Sequence, residues 1–302
     1  MTLLTMLIAL IVERLAVRGS AWQLVTYLRP YLTRGERVML PGLPQPYLML
    51  LWWLLPALLV SLLIYSVHFW LLQLVLNTLV LLLCIGSWSY RQTYKQFLNA
   101  AQRDDQEAAF LAMQQIRTAQ GAPELSYGQQ LIWLNFRYYA AVLFWYALLG
   151  AFGAVAYACL RQLSEPGAAA DTIADEATAP AAAEHATPEA TPAAAVVPDE
   201  DWRRFADDLL HWADWLPVRL FGLGLALVGD FSRTSDVLLQ HAGSLQLSAP
   251  ALLAELSQAA EPVPEELLNT PDTAVSAVAL AKRNVLFFLA LIAVLTLSGW
   301  LS

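Results

Sequence analysis

The chain has 302 residues, 58% of them hydrophobic and only 14% charged, a balance that excludes an ordinary soluble domain and points to an integral membrane protein. Its net charge of −8 is local: Ser164–Asp201 carries nine acidic residues and no Lys or Arg, and the remainder is close to neutral. No basic tract marks a nucleic-acid surface, and Cys84 and Cys159 both fall in apolar runs, as packing residues rather than a disulfide or metal pair.

The expected fold is all-α: a polytopic helical membrane protein with about four transmembrane helices plus interfacial or re-entrant amphipathic helices. Residues 1–46 are read as N-terminal interfacial helices. Thr2–Val12 is too short to span and continues through Glu13-Arg14-Leu15. Trp22, Leu24, Val25, Leu28 and Leu32 then recur at helical spacing, with Arg29, Arg34 and Arg37 between or after them, until Pro41, Pro44 and Pro46 end the helix.

Residues 47–88 form a transmembrane hairpin, Tyr47–Tyr65 and Phe69–Trp88, turning at Ser66-Val67-His68. Asn77 is the strongly polar group inside its second span, placed for a hydrogen bond to a neighbouring helix or for a functional site. Residues 89–130 are a soluble helical loop. Its first helix carries Tyr94, Phe97, Leu98 and Ala101, its second Phe110, Met113 and Ile116 after an Asp104/Glu107 capping box.

Residues 131–163 are a helix entering the third span. Ser126 and Gln129 have capping-box spacing, Tyr138–Leu160 is uncharged, and Ala147, Ala151, Ala154 and Ala158 mark a face for close packing. Basic residues on both sides of the first hairpin place that side in the cytoplasm, so the third span exits outward. Residues 164–201 are a disordered acidic linker. Residues 202–283 are an amphipathic or re-entrant helical region: Phe205, Leu209, Trp212 and Leu216 share one side, the half after Pro217 is hydrophobic apart from Arg219, and Gly222, Gly224 and Gly229 serve close packing rather than a nucleotide loop. Residues 284–302 are the C-terminal span. Lys282 and Arg283 beside it lie outside in this topology, against the positive-inside bias.

No GxSxG, HExxH, CxxC or phosphate-binding loop is present. Asp207 and His211, four apart on one helix face, are a weak metal pair, and neither a metal nor a cofactor is expected. The constellation that stands out is Asn135, Arg137, Asp214 and Arg219, with Trp215 and Pro217, at predicted membrane boundaries. Charges there need water, a partner or an anionic ligand. They are read as a candidate polar pocket gripping an anionic or amide-bearing ligand, with Lys282 beside them and Glu13 and Arg14 as secondary members. Arg137 and Asp214 fall on opposite sides in the four-span topology, unless the helix of Asp214 re-enters.

MTLLTMLIALIVERL with Trp22-Gln23-Leu24, Cys84-Ile85-Gly86, LIWLNFRYY at 131–139 with Leu143-Phe144-Trp145, and DWLPVRL at 214–220 together resemble the AmpE family. Pro271, Ala274-Val275-Ser276 and Ala281-Lys282 resemble its C-terminal pattern, and residues 164–201 depart from it as an insertion. The resemblance implies a multi-pass protein of the bacterial inner membrane, a sensor or signalling modulator in β-lactamase induction and the cell-wall stress response. Such proteins are encoded with an anhydro-muramyl-peptide amidase. Its implied partners are the lipid bilayer, a peptidoglycan-derived ligand or a regulatory protein, and no nucleic acid. Through Trp215-x-Pro217-x-Arg219 the chain is distantly similar to the amide-forming membrane enzyme of cobalamin biosynthesis. That keeps a membrane-embedded enzyme as the alternative to a non-enzymatic regulator.

Overall fold

The computed structural model describes residues 2–15, 23–24, 26–28, 31, 45–120, 124–164, 200–245 and 247–299. The described elements are helices: α1 (Thr2–Leu15), α2 (Gln45–Ser66), α3 (Trp70–Cys84), α4 (Trp88–Gln102), α5 (Gln106–Gln120), α6 (Tyr127–Asn135), a π-helical turn (Phe136–Ala140), α7 (Ala141–Ser164), α8 (Glu200–Val228), α9 (Phe231–Gln240), α10 (Ala249–Ala260) and α11 (Pro271–Leu297). The all-α expectation holds. Most of the expected interfacial helix after residue 15 and most of the acidic linker lie outside the described residues.

Local sequence explains many of the ends. Ser126 Oγ accepts from Gln129 N while Gln129 Oε1 accepts from Ser126 N, the expected capping box at the start of α6. Thr270 caps α11 ahead of Pro271. At α5 the cap is one residue later than expected: Asp105 Oδ1 accepts from Ala108 N, and Asp104 takes up a left-handed φ of 58° in the preceding turn.

Helix α1 docks on the bundle through Thr5, Met6, Ala9 and Glu13, all buried at helical spacing. The hairpin of α2 and α3 shows lipid-type exposure, with Leu58, Leu62, Leu71 and Val75 uncovered. Asn77 Nδ2 donates to Gln73 O in its own helix, and its Oδ1 accepts from Tyr146 of α7. Helices α4 and α5 pack on each other and on α6 and α11 through Phe97, Met113, Ile116, Tyr127 and Leu131.

By length and apolar composition, Tyr127–Ser164 and Pro271–Leu297 are each long enough to cross a membrane. Trp70–Cys84 and Trp88–Gln102 make a third span if their 52° bend is one crossing. The first of these is not a straight rod. At Gly150 the backbone adopts φ 62° and ψ −147°, and α7 breaks there. In an unbroken helix Arg137 and Arg161 would lie about 36 Å apart at 1.5 Å per residue. Instead their side chains bond each other's backbone, at 3.1 and 3.4 Å. Residues 131–164 are therefore a helical hairpin with its tip at Gly150, not the expected single straight helix.

Gly153 lies directly under the Trp145 carbonyl, where no side chain fits, so the arms can close. Buried Ala151, Ala154 and Ala158 line the return arm, and Trp53 Nε1 of α2 donates to its Ala156 O at 3.1 Å. The small-residue face of the sequence is thus a packing surface, as expected.

Helix α8 is continuous through Pro217. The face read as its apolar side is borne out in part: Phe205 and Leu209 are half-buried and Leu209 packs on the core, Trp212 and Leu216 are exposed, and Ala206, Leu210, Asp214, Val218, Phe221 and Leu225 point inward. The exposed side of the half before Pro217 mixes Arg204, Asp207 and Asp208 with Trp212 and Leu216, so the inward face is rotated from the one that bulky apolar spacing marks. Downstream, α10 packs on α6, where Gln129 Nε2 donates to Ala254 O. Residues 249–260 and 126–132 therefore occupy one end of the bundle, not opposite sides as the four-span topology required. Gly222, Gly224 and Gly229 sit against Leu256, Asn284 and Ala260, which bears out their reading as close-packing residues.

Candidate functional site

The fold-back brings Arg137 and Arg161 to one level, and α8 lays Asp214 against them. All three are buried, at 4%, 2% and 2% exposure. Tyr157, from the return arm, donates its hydroxyl to Asp214 Oδ1 at 2.7 Å. Asp214 lies in the field of both guanidinium groups, with Arg137 the stronger. A carboxylate taken this far from water is tolerable only when compensated in this way.

The π-helical turn explains how the arginines are held. Its widened geometry, with Ala141 N bonding Phe136 O, frees carbonyls that an α-helix would use. Arg161 Nη1 donates to Arg137 O, and Gly86 N donates to Tyr138 O at 3.1 Å. Arg137 Nη2 donates to Arg161 O and, at 2.7 Å, to Ser164 Oγ. The Arg161 guanidinium stacks 3.9 Å over the Tyr138 ring. Two cations thus face one carboxylate, and the network ties α3, both hairpin arms and α8 together.

The remaining expected members are elsewhere. Arg219 donates to the carbonyls of Trp215, His241, Ala242 and Ser244 and stacks 4.2 Å over Trp215. It closes the C-terminal turn of α9, and Trp215 and buried Pro217 frame that fastening. Glu13 is bonded by Arg91 and by the Tyr139 hydroxyl, while Arg14 is exposed. Asn135 and Lys282 line a separate cleft between α4, α6 and α11. The sequence pocket therefore resolves into a buried core of Arg137 and Asp214, an Arg219 clasp, a Glu13–Arg91 pair and the Asn135–Lys282 cleft.

Sequence reasoning missed Tyr157, Arg161 and Asn284. Asn284 is fully buried, donates to Phe221 O at 2.8 Å and presses on Gly224. Arg161 was legible only as the charge ending an apolar run; Asn284 and Tyr157 carry no distinguishing local pattern. Cys84 and Cys159 are buried and unbridged, as expected. His211 Nε2 lies 2.7 Å from Leu245 O, and among the described residues no group of three or more His, Cys, Asp or Glu is placed to hold a metal.

Compared with known proteins, the chain matches the family described as "Regulatory signalling modulator protein AmpE" over residues 1–179 and 186–302. Protein AmpE of Shigella flexneri is 30% identical over 316 residues, covering 99% of each chain. The family match leaves out residues 180–185, inside the acidic stretch. No solved structure matches the chain.

Proposed function

The chain belongs to the AmpE family of regulatory signalling modulator proteins, and from that premise we propose that it is a multi-pass protein of the bacterial inner membrane that modulates β-lactamase induction in the cell-wall stress response. It does so by binding rather than by turnover. The observation that carries this reading is the sealing of Arg137, Arg161 and Asp214 at 4% exposure or less. Groups so enclosed offer little surface to a reacting substrate, yet they fix the hairpin against α8. A ligand that favours one packing of that joint over another shifts its population, which is what a modulator requires.

The input in this proposal is a peptidoglycan-derived ligand or a regulatory protein. The α4–α5 pair is the output surface, supported by Phe110 and Leu111, which stand 50% and 56% exposed outside its core. The test is a β-lactamase reporter challenged with a β-lactam in cells lacking the chain, then restored with wild type or Asp214→Asn, with membrane fractionation to confirm equal inner-membrane levels. Wild type should restore the normal induction profile and Asp214→Asn should not. Induction that is identical with and without the chain sinks the proposal.

A further inference from the structure

The cleft that takes Asn135 and Lys282 is built differently from the buried cluster, and it shares Arg91 and Tyr139 with the Glu13 contacts. Its volume is about 190 Å³, below the roughly 300–1,000 Å³ of a pocket for a drug-sized ligand. It suits a small headgroup rather than a whole glycopeptide fragment. Tyr90, Tyr94 and Tyr139 form its walls, and Arg91, Asn135 and Lys282 supply its polar atoms.

The charge in the cleft is positive and held in place. Arg91 is anchored by Glu13, which is 7% exposed behind it, and its buried Nε has no acceptor. Gly86, at φ 77°, leaves the space this anchoring needs, since a Cβ there would stand 2.7 Å from Arg91 Nη2. Lys282 is exposed and has no hydrogen-bond or ion-pair partner among the described residues. Asn135 donates one amide N–H to Leu131 O at 3.0 Å, which orients the carboxamide and leaves Oδ1 to accept. The cleft thus offers two cationic donors, one carbonyl acceptor and a tyrosine lining.

Its depth identifies the source of an anion. Ser87 of the cleft lies three residues past the apolar helix Trp70–Cys84, and Lys282 stands two residues before the uncharged stretch beginning at Asn284. Tyr and Lys at such boundaries sit at the level of lipid headgroups. We infer that this cleft binds the headgroup of an anionic glycerophospholipid. Lys282 and Arg91 take the phosphate, and Asn135 Oδ1 accepts from a headgroup hydroxyl. A choline headgroup offers no hydroxyl donor and brings a cation toward Lys282. The site stands whatever signal the protein relays.

The experiment is native mass spectrometry of the purified full-length protein from mixed micelles containing phosphatidylglycerol, phosphatidylcholine or phosphatidic acid. Wild type should retain phosphatidylglycerol and release phosphatidylcholine. Lys282→Glu should lower phosphatidylglycerol retention about tenfold, the loss expected for one charge-assisted contact. Arg283→Glu makes the same charge change one residue away, at a side chain that pairs with Glu261 at 2.6 Å outside the cleft, and should leave retention intact. Asn135→Leu should weaken phosphatidylglycerol but spare phosphatidic acid, whose headgroup lacks the glycerol hydroxyls. Equal retention by wild type and Lys282→Glu overturns the site. Glycerol phosphate binding as tightly as phosphatidylglycerol overturns the lipid source and assigns the cleft to soluble phosphate esters.

Discussion

Arg137 and Arg161 each donate a guanidinium hydrogen bond to the other's backbone carbonyl, at 3.4 and 3.1 Å. This reciprocal clasp closes the hairpin at its open end, as Gly150 closes it at its tip. Neither bond is an ion pair. Among the described residues Asp214, on a different helix, lies in the field of both guanidinium groups, and that compensation is present only when α8 is docked.

Removing that charge is therefore costly. Asp214→Asn should destabilise the detergent-solubilised protein by about 3–5 kcal/mol, the usual cost of stranding buried charge. Adding Arg137→Gln to it should recover part of the loss, with a coupling of roughly 0.5–3 kcal/mol. Denaturation of the two single variants and the double variant measures this, and strict additivity would show that the two charges do not interact.

Gly150 tests the fold-back itself. Its φ of 62° and ψ of −147° lie in backbone space reserved for glycine, and a Cβ there would meet nothing within 4 Å. Gly150→Ala therefore reports backbone strain alone and should cost about 1–3 kcal/mol. Gly243, equally open but without a positive φ, is the control, and Gly243→Ala should be near neutral. Matching thermal midpoints for both variants would contradict a break at residue 150.

At Gly86 strain and crowding act together. Gly86→Ala imposes φ 77° on an L-residue, at about 1–2 kcal/mol, and displaces Arg91 from Glu13. In an Arg91→Met background the 2.7 Å contact is gone and the penalty should fall toward the strain alone, with only the 3.3 Å approaches of Glu13 Oε1 and the Tyr139 hydroxyl left. An identical penalty in both backgrounds would refute the crowding.

Sidedness distinguishes the hairpin from a crossing in living cells. With Cys84 and Cys159 replaced by Ala, single cysteines at exposed Glu124 and Ser232 should react alike with an impermeant reagent, because α10 joins their two regions through Gln129 and Ala254. A cysteine at exposed His68, in the α2–α3 turn, should show the opposite pattern. Opposite labelling of 124 and 232 would restore a crossing between them.

The helices and many of their caps were legible in the sequence, because Ser126, Gln129, Thr270 and Pro271 act through their own neighbours. Arg137 and Asp214 were legible as costly charges in apolar surroundings, and the structure unites them. Their apparent separation across the membrane came from counting 131–160 as one rod. Nothing local marks the fold-back: one glycine in a long apolar run is ordinary in membrane helices, and lipid makes both faces of a helix apolar. Arg219 and Lys282 shared a boundary position with the cluster but not its location. Which boundary charges meet is decided by helix packing, which residue spacing does not encode.

The hairpin also sets an order of events during synthesis. Both arginines leave the ribosome before the acidic stretch, and Asp214 follows about fifty residues after Arg161. At roughly 5–20 residues per second that is an interval of about 3–10 s in which the hairpin's two cations lack the Asp214 carboxylate. Burial of this segment must then wait for α8, so the nascent chain completes its insertion late, and a ribosome stalled within residues 165–199 would strand the arms at the membrane surface.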